Sequence, residues 1–206
     1  MKPVTRSMEA TSAQPAAAVA QSRRALPNGW WGVALLICTE ASLIGTLIAT
    51  YFYLRFKTPV WPPHGSELPE LAKPCALTGG LVTTSVLMVF ATRSARAGLA
   101  LRTGLLMLGA LAIQSGYLAF QLDSYVSSIH RDPPSDSAYS SIYHLLLGTD
   151  HAHVFVGMLL IIGLLLKLTR GLTNYRVVGV RAVTLYWHFT NAATVAVLLT
   201  QIYPSL

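Results

Sequence analysis

The sequence predicts an all-α fold: a polytopic membrane bundle of five transmembrane helices, with the N-terminus cytoplasmic and the C-terminus extracytoplasmic. Three observations predict it. Of the 206 residues, 53% are hydrophobic and only 11% charged, against about 25% charged in ordinary soluble domains. The apolar residues gather into five runs, each close to the ~20 residues a helix needs to cross ~30 Å of hydrocarbon. Lys and Arg divide unevenly between the two sides that five crossings define.

In chain order, residues 1–28 are rich in Ala, Ser, Gln and Pro and carry Lys2, Arg6, Arg23 and Arg24. With few large apolar side chains they are expected to form a disordered, basic cytoplasmic tail. No apolar stretch of the kind a signal peptide needs follows the early charges. The membrane domain is expected over 29–206, with spans near Trp30–Leu54, Cys75–Thr92, Thr103–Leu122, Ile142–Leu166 and Ala182–Tyr203. Helices are the natural choice, because lipid offers the backbone no hydrogen bonds. The second run is the shortest.

Five crossings put the tail and the loops around 93–102 and 167–181 on one side. That side holds 11 basic residues: Lys2, Arg6, Arg23, Arg24, Arg93, Arg96, Arg102, Lys167, Arg170, Arg176 and Arg181. The other holds 4, namely Arg55, Lys57, Lys73 and Arg131. Positive residues mark the cytoplasmic side. The formal net charge of +7 is thus spent at helix ends; nucleic-acid binding needs a continuous basic face. The outer loops are stiffened by proline, one reading Pro59-Val60-Trp61-Pro62-Pro63, the other containing Asp132-Pro133-Pro134. Cys38 and Cys75 form neither a CxxC pair nor a disulfide framework, and both are expected to be small core residues.

Ionisable groups in hydrocarbon are costly and generally face a protein interior. Here they are Glu40, His144, Asp150, His151, His153 and His188, joined by the neutral Gln114, Gln121 and Asn191. Positions 150, 153 and 157 share one helical face, 144 and 151 another, and 188 shares a face with 191. Glu40 lies about 15 Å from the cytoplasmic end of its span at 1.5 Å per residue. It reads either as a proton-handling or lipid-facing carboxyl, or as a neutral packing group. Asn191 lies at the same depth and His153 about 6 Å further out. One intramembrane polar cluster is therefore expected, formed by Glu40, Asp150 and His153 with His188 or Asn191. Haem b ligation by the histidines is disfavoured, because His153 and His188 differ in depth by about 10 Å. No span carries a closed metal-ligand set, and no catalytic residue stands out. A small membrane cytochrome b and a transporter subunit are the competing readings.

Four stretches carry a family resemblance in order. Thr39-Glu40 falls in the first span, and Trp61-Pro62-Pro63 in the first outer loop. His153-Val154-x-x-Gly157 fits the end of an H-G-L-H-V-x-x-G stretch, and Tyr186-Trp187-His188-Phe189 the start of a Y/F-W-H-F-x-D stretch. After residue 28 the chain resembles the five-helix form of haem–copper oxidase (cytochrome c oxidase) subunit III. It departs from the family pattern at Asp150, where the first His of H-G-L-H would stand, at Asn191, where an Asp is usual, and at Gln121 in the third span. The resemblance implies an accessory subunit packed on catalytic subunit I in a bacterial plasma membrane, with subunit II and further small subunits nearby. It implies no redox centre in this chain, haem and copper lying in the partners, and a role in sustaining proton uptake. It also implies bound phospholipid, for which Arg93, Arg96, Arg102 and Arg176 are candidate head-group contacts, each worth about 1 kcal/mol near an anionic surface. Similar five-helix proteins accompany quinol oxidases and nitric oxide reductases.

Overall fold

The apolar runs form helices that outlast them at most ends. The computed structural model describes residues 28–62 and 72–202, which form α1 (Asn28–Lys57), α2 (Ala72–Arg96), α3 (Ala100–Arg131), α4 (Ala138–Leu168) and α5 (Asn174–Ile202). The tail, Pro63 of the loop motif and Cys75's side chain lie outside the described residues. α3 continues nine residues past Leu122, and α5 begins eight before Ala182. A helix keeps its backbone paired as it leaves the hydrocarbon, so the polar interface does not end it. Basic groups sit in the last turns of α1 to α4 (Arg55 and Lys57; Arg93 and Arg96; His130 and Arg131; Lys167), where they face the negative end of the helix dipole.

Two glycines turn the chain on one end of the bundle. Gly98 (φ 77°) joins α2 to α3 and Gly171 (φ 89°) joins α4 to α5; both conformations are open to glycine at no steric cost. The Gly98 amide donates to the Ala95 carbonyl at 3.1 Å, and the Gly171 amide to that of Leu168 at 2.9 Å. On the other end the α3–α4 turn is held by Ser137, which caps α4 by accepting from the Ser140 amide at 3.0 Å, and by the Ser140 hydroxyl, which reaches the carbonyls of Asp132 and Pro133.

Helices α2, α3, α4 and α5 pack as a ring in that order, and α1 lies outside it against α4 and α5. There are two principal apolar cores. One joins Met88, Met107, Ile161, Val180 and Trp187 of α2 to α5. The other joins Ile44, Leu47 and Tyr51 of α1 to Tyr139, Leu146 and Val197, and is plugged by Trp61. Trp61 stacks edge-on against Tyr51 and Tyr139 and donates its indole N–H to the Tyr51 hydroxyl at 3.2 Å. The end of α1 thus meets the start of α4 and the end of α5. At the opposite end the Arg181 guanidinium lies over the Trp30 ring, placing the start of α1 beside the start of α5 and both glycine turns.

Four of these helices, α1, α3, α4 and α5, are long and apolar enough to cross a membrane. α2, with 25 residues, is long enough at about 37 Å but more polar than the others, because its Thr84, Ser85 and Thr92 face α5 rather than lipid. Cys38 is not a core residue: it lies exposed on α1, most of whose surface no other helix covers.

Candidate functional site: intramembrane polar pairs

Between the two cores runs a layer of polar side chains. Its best-defined member is the pair of Glu40 on α1 and His153 on α4, in direct contact through Glu40 Oε2 and His153 Nε2. The other ring nitrogen, Nδ1, lies 2.5 Å from the Thr149 carbonyl one turn back. A carbonyl only accepts, so Nδ1 carries a hydrogen. That leaves one proton between Nε2 and the carboxyl. Either a neutral acid donates to a neutral ring, or a carboxylate accepts from an imidazolium. Both forms have zero net charge, which suits a pair whose side chains are 23% and 7% exposed at a depth where a lone charge is costly.

The other candidate residues do not join this pair. Asp150, one turn before His153 and fully buried, accepts from the Thr194 hydroxyl of α5 at 2.8 Å. Asn191 faces α2: its amide N–H groups have the Leu81 carbonyl at 2.8 Å, Ser85 Oγ at 2.7 Å and Thr84 Oγ1 at 3.2 Å as acceptors. Trp187 donates to the same Thr84 hydroxyl at 2.8 Å. His188 is half-buried and enters none of these bonds among the described residues. The single cluster expected from equal depth is therefore three separate links: α1–α4, α4–α5 and α5–α2. Depth was shared, but Glu40 of α1 turns to α4, whereas Asn191 of α5 turns to α2 on another side of the bundle. The Leu81 carbonyl and two hydroxyls opposite residue 191 favour an amide over a carboxylate, since a carboxylate would bring no donor to that carbonyl.

Hydroxyl partners escaped the sequence reading. Thr84, Ser85 and Thr194 complete the layer, Thr84 and Thr194 while also bonding a carbonyl of their own helix; Thr39, Ser42, Thr46 and Thr50 of α1 look the same in sequence and bond their own helix's carbonyls. Of the loop motif, Trp61 is buried and Pro62 partly so. Arg93, Arg96 and Arg102 are exposed around the Gly98 turn, and the Arg176 guanidinium donates to the Gly171 carbonyl. Arg176 also borders a cavity of about 270 Å³ between α1, α4 and α5, lined by Val33, Leu160, Gly163 and Val183 with Lys167 at its rim. Among the described residues no group of three or more His, Cys, Asp or Glu side chains is placed to hold a metal ion.

Fold and site together define a polytopic helical membrane protein in which several buried ionisable groups, among them Glu40, Asp150 and His153, are paired between helices. The chain matches the family model of cytochrome c oxidase subunit III over residues 15–204, and it belongs to that family. It is 30% identical over 167 residues to the quinol oxidase subunit 3 of Bacillus subtilis, covering 79% of each chain. It is 30% identical over 179 residues to the probable quinol oxidase subunit 3 of Staphylococcus haemolyticus (85% of this chain, 86% of that one). It is 28% identical over 174 residues to the cytochrome c oxidase subunit 3 of a Bacillus species, strain PS3 (82% of each).

Proposed function

We propose that this chain is the accessory subunit III of a proton-pumping haem–copper terminal oxidase in a bacterial plasma membrane. It packs on catalytic subunit I, beside subunit II and further small subunits, and has no redox centre of its own. The observation that carries this reading is the family match over residues 15–204. The relatives' names include both quinol and cytochrome c oxidases, and the proposal is for the class they share. The Glu40–His153 pair is its candidate proton-handling group, since one proton moves between the two without changing net charge.

In the same reading α2 is the fifth span, and the N-terminus is cytoplasmic. The direct packing of α2 along α3 and α5 supports this. The subunit also holds phospholipid, with acidic head groups at Arg93, Arg96, Arg102 and Arg176. The cavity beside Arg176 supports one such position, because an apolar slot rimmed by cations suits an acyl chain with an anionic head. Purification of the tagged chain in mild detergent tests the assignment. Haem absorbance and a haem–copper subunit should co-purify, and a deletion strain's oxidase should lose activity faster during turnover. A chain that purifies without any haem protein, from cells whose oxidase is unaffected by its deletion, overturns it.

A further inference from the structure

The histidines of α4 differ in how their ring nitrogens are satisfied. His144 has Nδ1 at 2.8 Å from the Ser140 carbonyl and Nε2 at 3.3 Å from Ser128 Oγ, and His153 is held by Thr149 and Glu40. His151 is 6% exposed, and neither of its ring nitrogens has a partner among the described residues. It stands edge-on to the Tyr125 ring, 5.3 Å between centroids. Tyr125 in turn donates its hydroxyl to the His144 carbonyl at 3.1 Å.

Tyr125 belongs to a polar stripe on α3. Gln114, Tyr117, Gln121, Tyr125 and Ser128 follow one another at intervals of three or four residues and so share a face. Gln121 donates to the Tyr117 hydroxyl at 3.3 Å, and Tyr117 packs with Val154 of α4. At the far end of the stripe Gln114 is 1% exposed, and its carbonyl oxygen is also buried without a partner among the described residues. Of these buried, unpartnered groups, His151 is the one that the Tyr125 contact places on the α3–α4 seam.

We propose that the seam between α3 and α4 beside Tyr125 is an internal water-binding site, with the ring nitrogens of His151 as its protein partners. The chemistry of the orphan atoms selects the ligand. A neutral imidazole presents one N–H donor and one lone-pair acceptor. Water supplies both functions. A cation would satisfy lone pairs and leave the N–H bare, and an anion would do the reverse. A lipid head group or a neighbouring subunit does not reach these atoms, because this chain's own helices enclose them. Bound waters with two to four polar partners are ordinary in protein interiors, and dry polar groups are costly in lipid. The proposal goes beyond the oxidase assignment and does not depend on it.

Water-edited solid-state NMR on the full-length chain in lipid bilayers, labelled with ¹⁵N at His and Trp, tests it. The internal dry reference is Trp187, whose indole N–H is fully buried and bonded to Thr84. Polarisation should reach the His151 ring nitrogens from water at mixing times too short to reach Trp187, and His151→Phe should remove that signal alone. Build-up at His151 as slow as at Trp187 overturns the proposal. So does a His151 resonance that shifts when a metal chelator is added, which would place a cation there. The wild-type measurement stands by itself if the variant does not fold.

Discussion

One proton lies between Glu40 and His153, and that governs what a substitution there does. Glu40→Gln keeps a side chain able to donate to His153 Nε2 but removes the transferable proton. The variant should assemble and melt within about 1 kcal/mol of the parent, the range of a single retained hydrogen bond. In the oxidase its turnover stability or pumping should fall. Glu40→Leu leaves the buried Nε2 without a partner and should cost about 1–3 kcal/mol, read as a lower thermal midpoint in bicelles. Equal midpoints for Gln and Leu would show that the contact does not contribute to packing. At this scale the sequence was informative for ionisable residues, grouping Glu40 with His153, and silent about hydroxyl partners. Glu40 and His153 stand out because charges are rare in apolar runs. Thr84 and Thr194 do not, because a span hydroxyl can always bond its own helix, as Thr46 and Thr50 do. Which ones turn to a neighbour is decided by rotation about the helix axis, which depth does not fix.

Among the helices, the α3–α4 contact depends on one missing side chain. A Cβ on Gly148 would come within 2.8 Å of the Tyr125 hydroxyl, the atom that bonds the His144 carbonyl. Gly148→Ala should therefore displace Tyr125 and lose that bond, worth about 0.5–1.5 kcal/mol, while gaining up to about 1 kcal/mol of helix propensity. In a Tyr125→Phe background the clash is gone and the same substitution should be stabilising. A double-mutant cycle on thermal stability checks this; purely additive effects would contradict the contact. The α5–α2 link is tested by Asn191→Leu, which removes a donor from the Leu81 carbonyl, Thr84 and Ser85; because Leu81 keeps the Thr84 hydroxyl and Thr84 keeps Trp187, stability should fall by about 0.5–1.5 kcal/mol, the net worth of one hydrogen bond. Five helical runs were legible from apolar length, but the polarity of α2 could be understood only once α5 was seen to hold its hydroxyls. The missed ends of α3 and α5 have a related cause: apolar length measures hydrocarbon, whereas a helix ends where its backbone finds a cap.

For the whole molecule, packing and charge make separate arguments for one topology. The Trp30–Arg181 contact sets the start of α1 beside the start of α5. The first core brings the end of α2 together with the starts of α3 and α5 and the end of α4. The start of α1 and both glycine turns therefore share one end of the bundle, and the direction of the chain alternates from helix to helix. That end carries Arg93, Arg96, Arg102, Lys167, Arg170, Arg176 and Arg181, while the other carries Arg55, Lys57 and Arg131 among the described residues. The positive-inside rule weighs short loops most heavily, and these turns are short. A phosphatase reporter fused after Leu206 should thus be active outside the cytoplasm, and a fluorescent reporter placed at the Gly98 turn should fold inside it. If α2 lay on the surface instead of crossing, α3 would have to start on the outer side and the two reporters would exchange compartments. Replacing Arg93, Arg96 and Arg102 by Gln should weaken this preference without moving the helix contacts, because charge selects the side and packing selects the alternation. A C-terminal reporter active only in the cytoplasm would show that the alternation in the folded bundle is not the path the chain takes through the membrane.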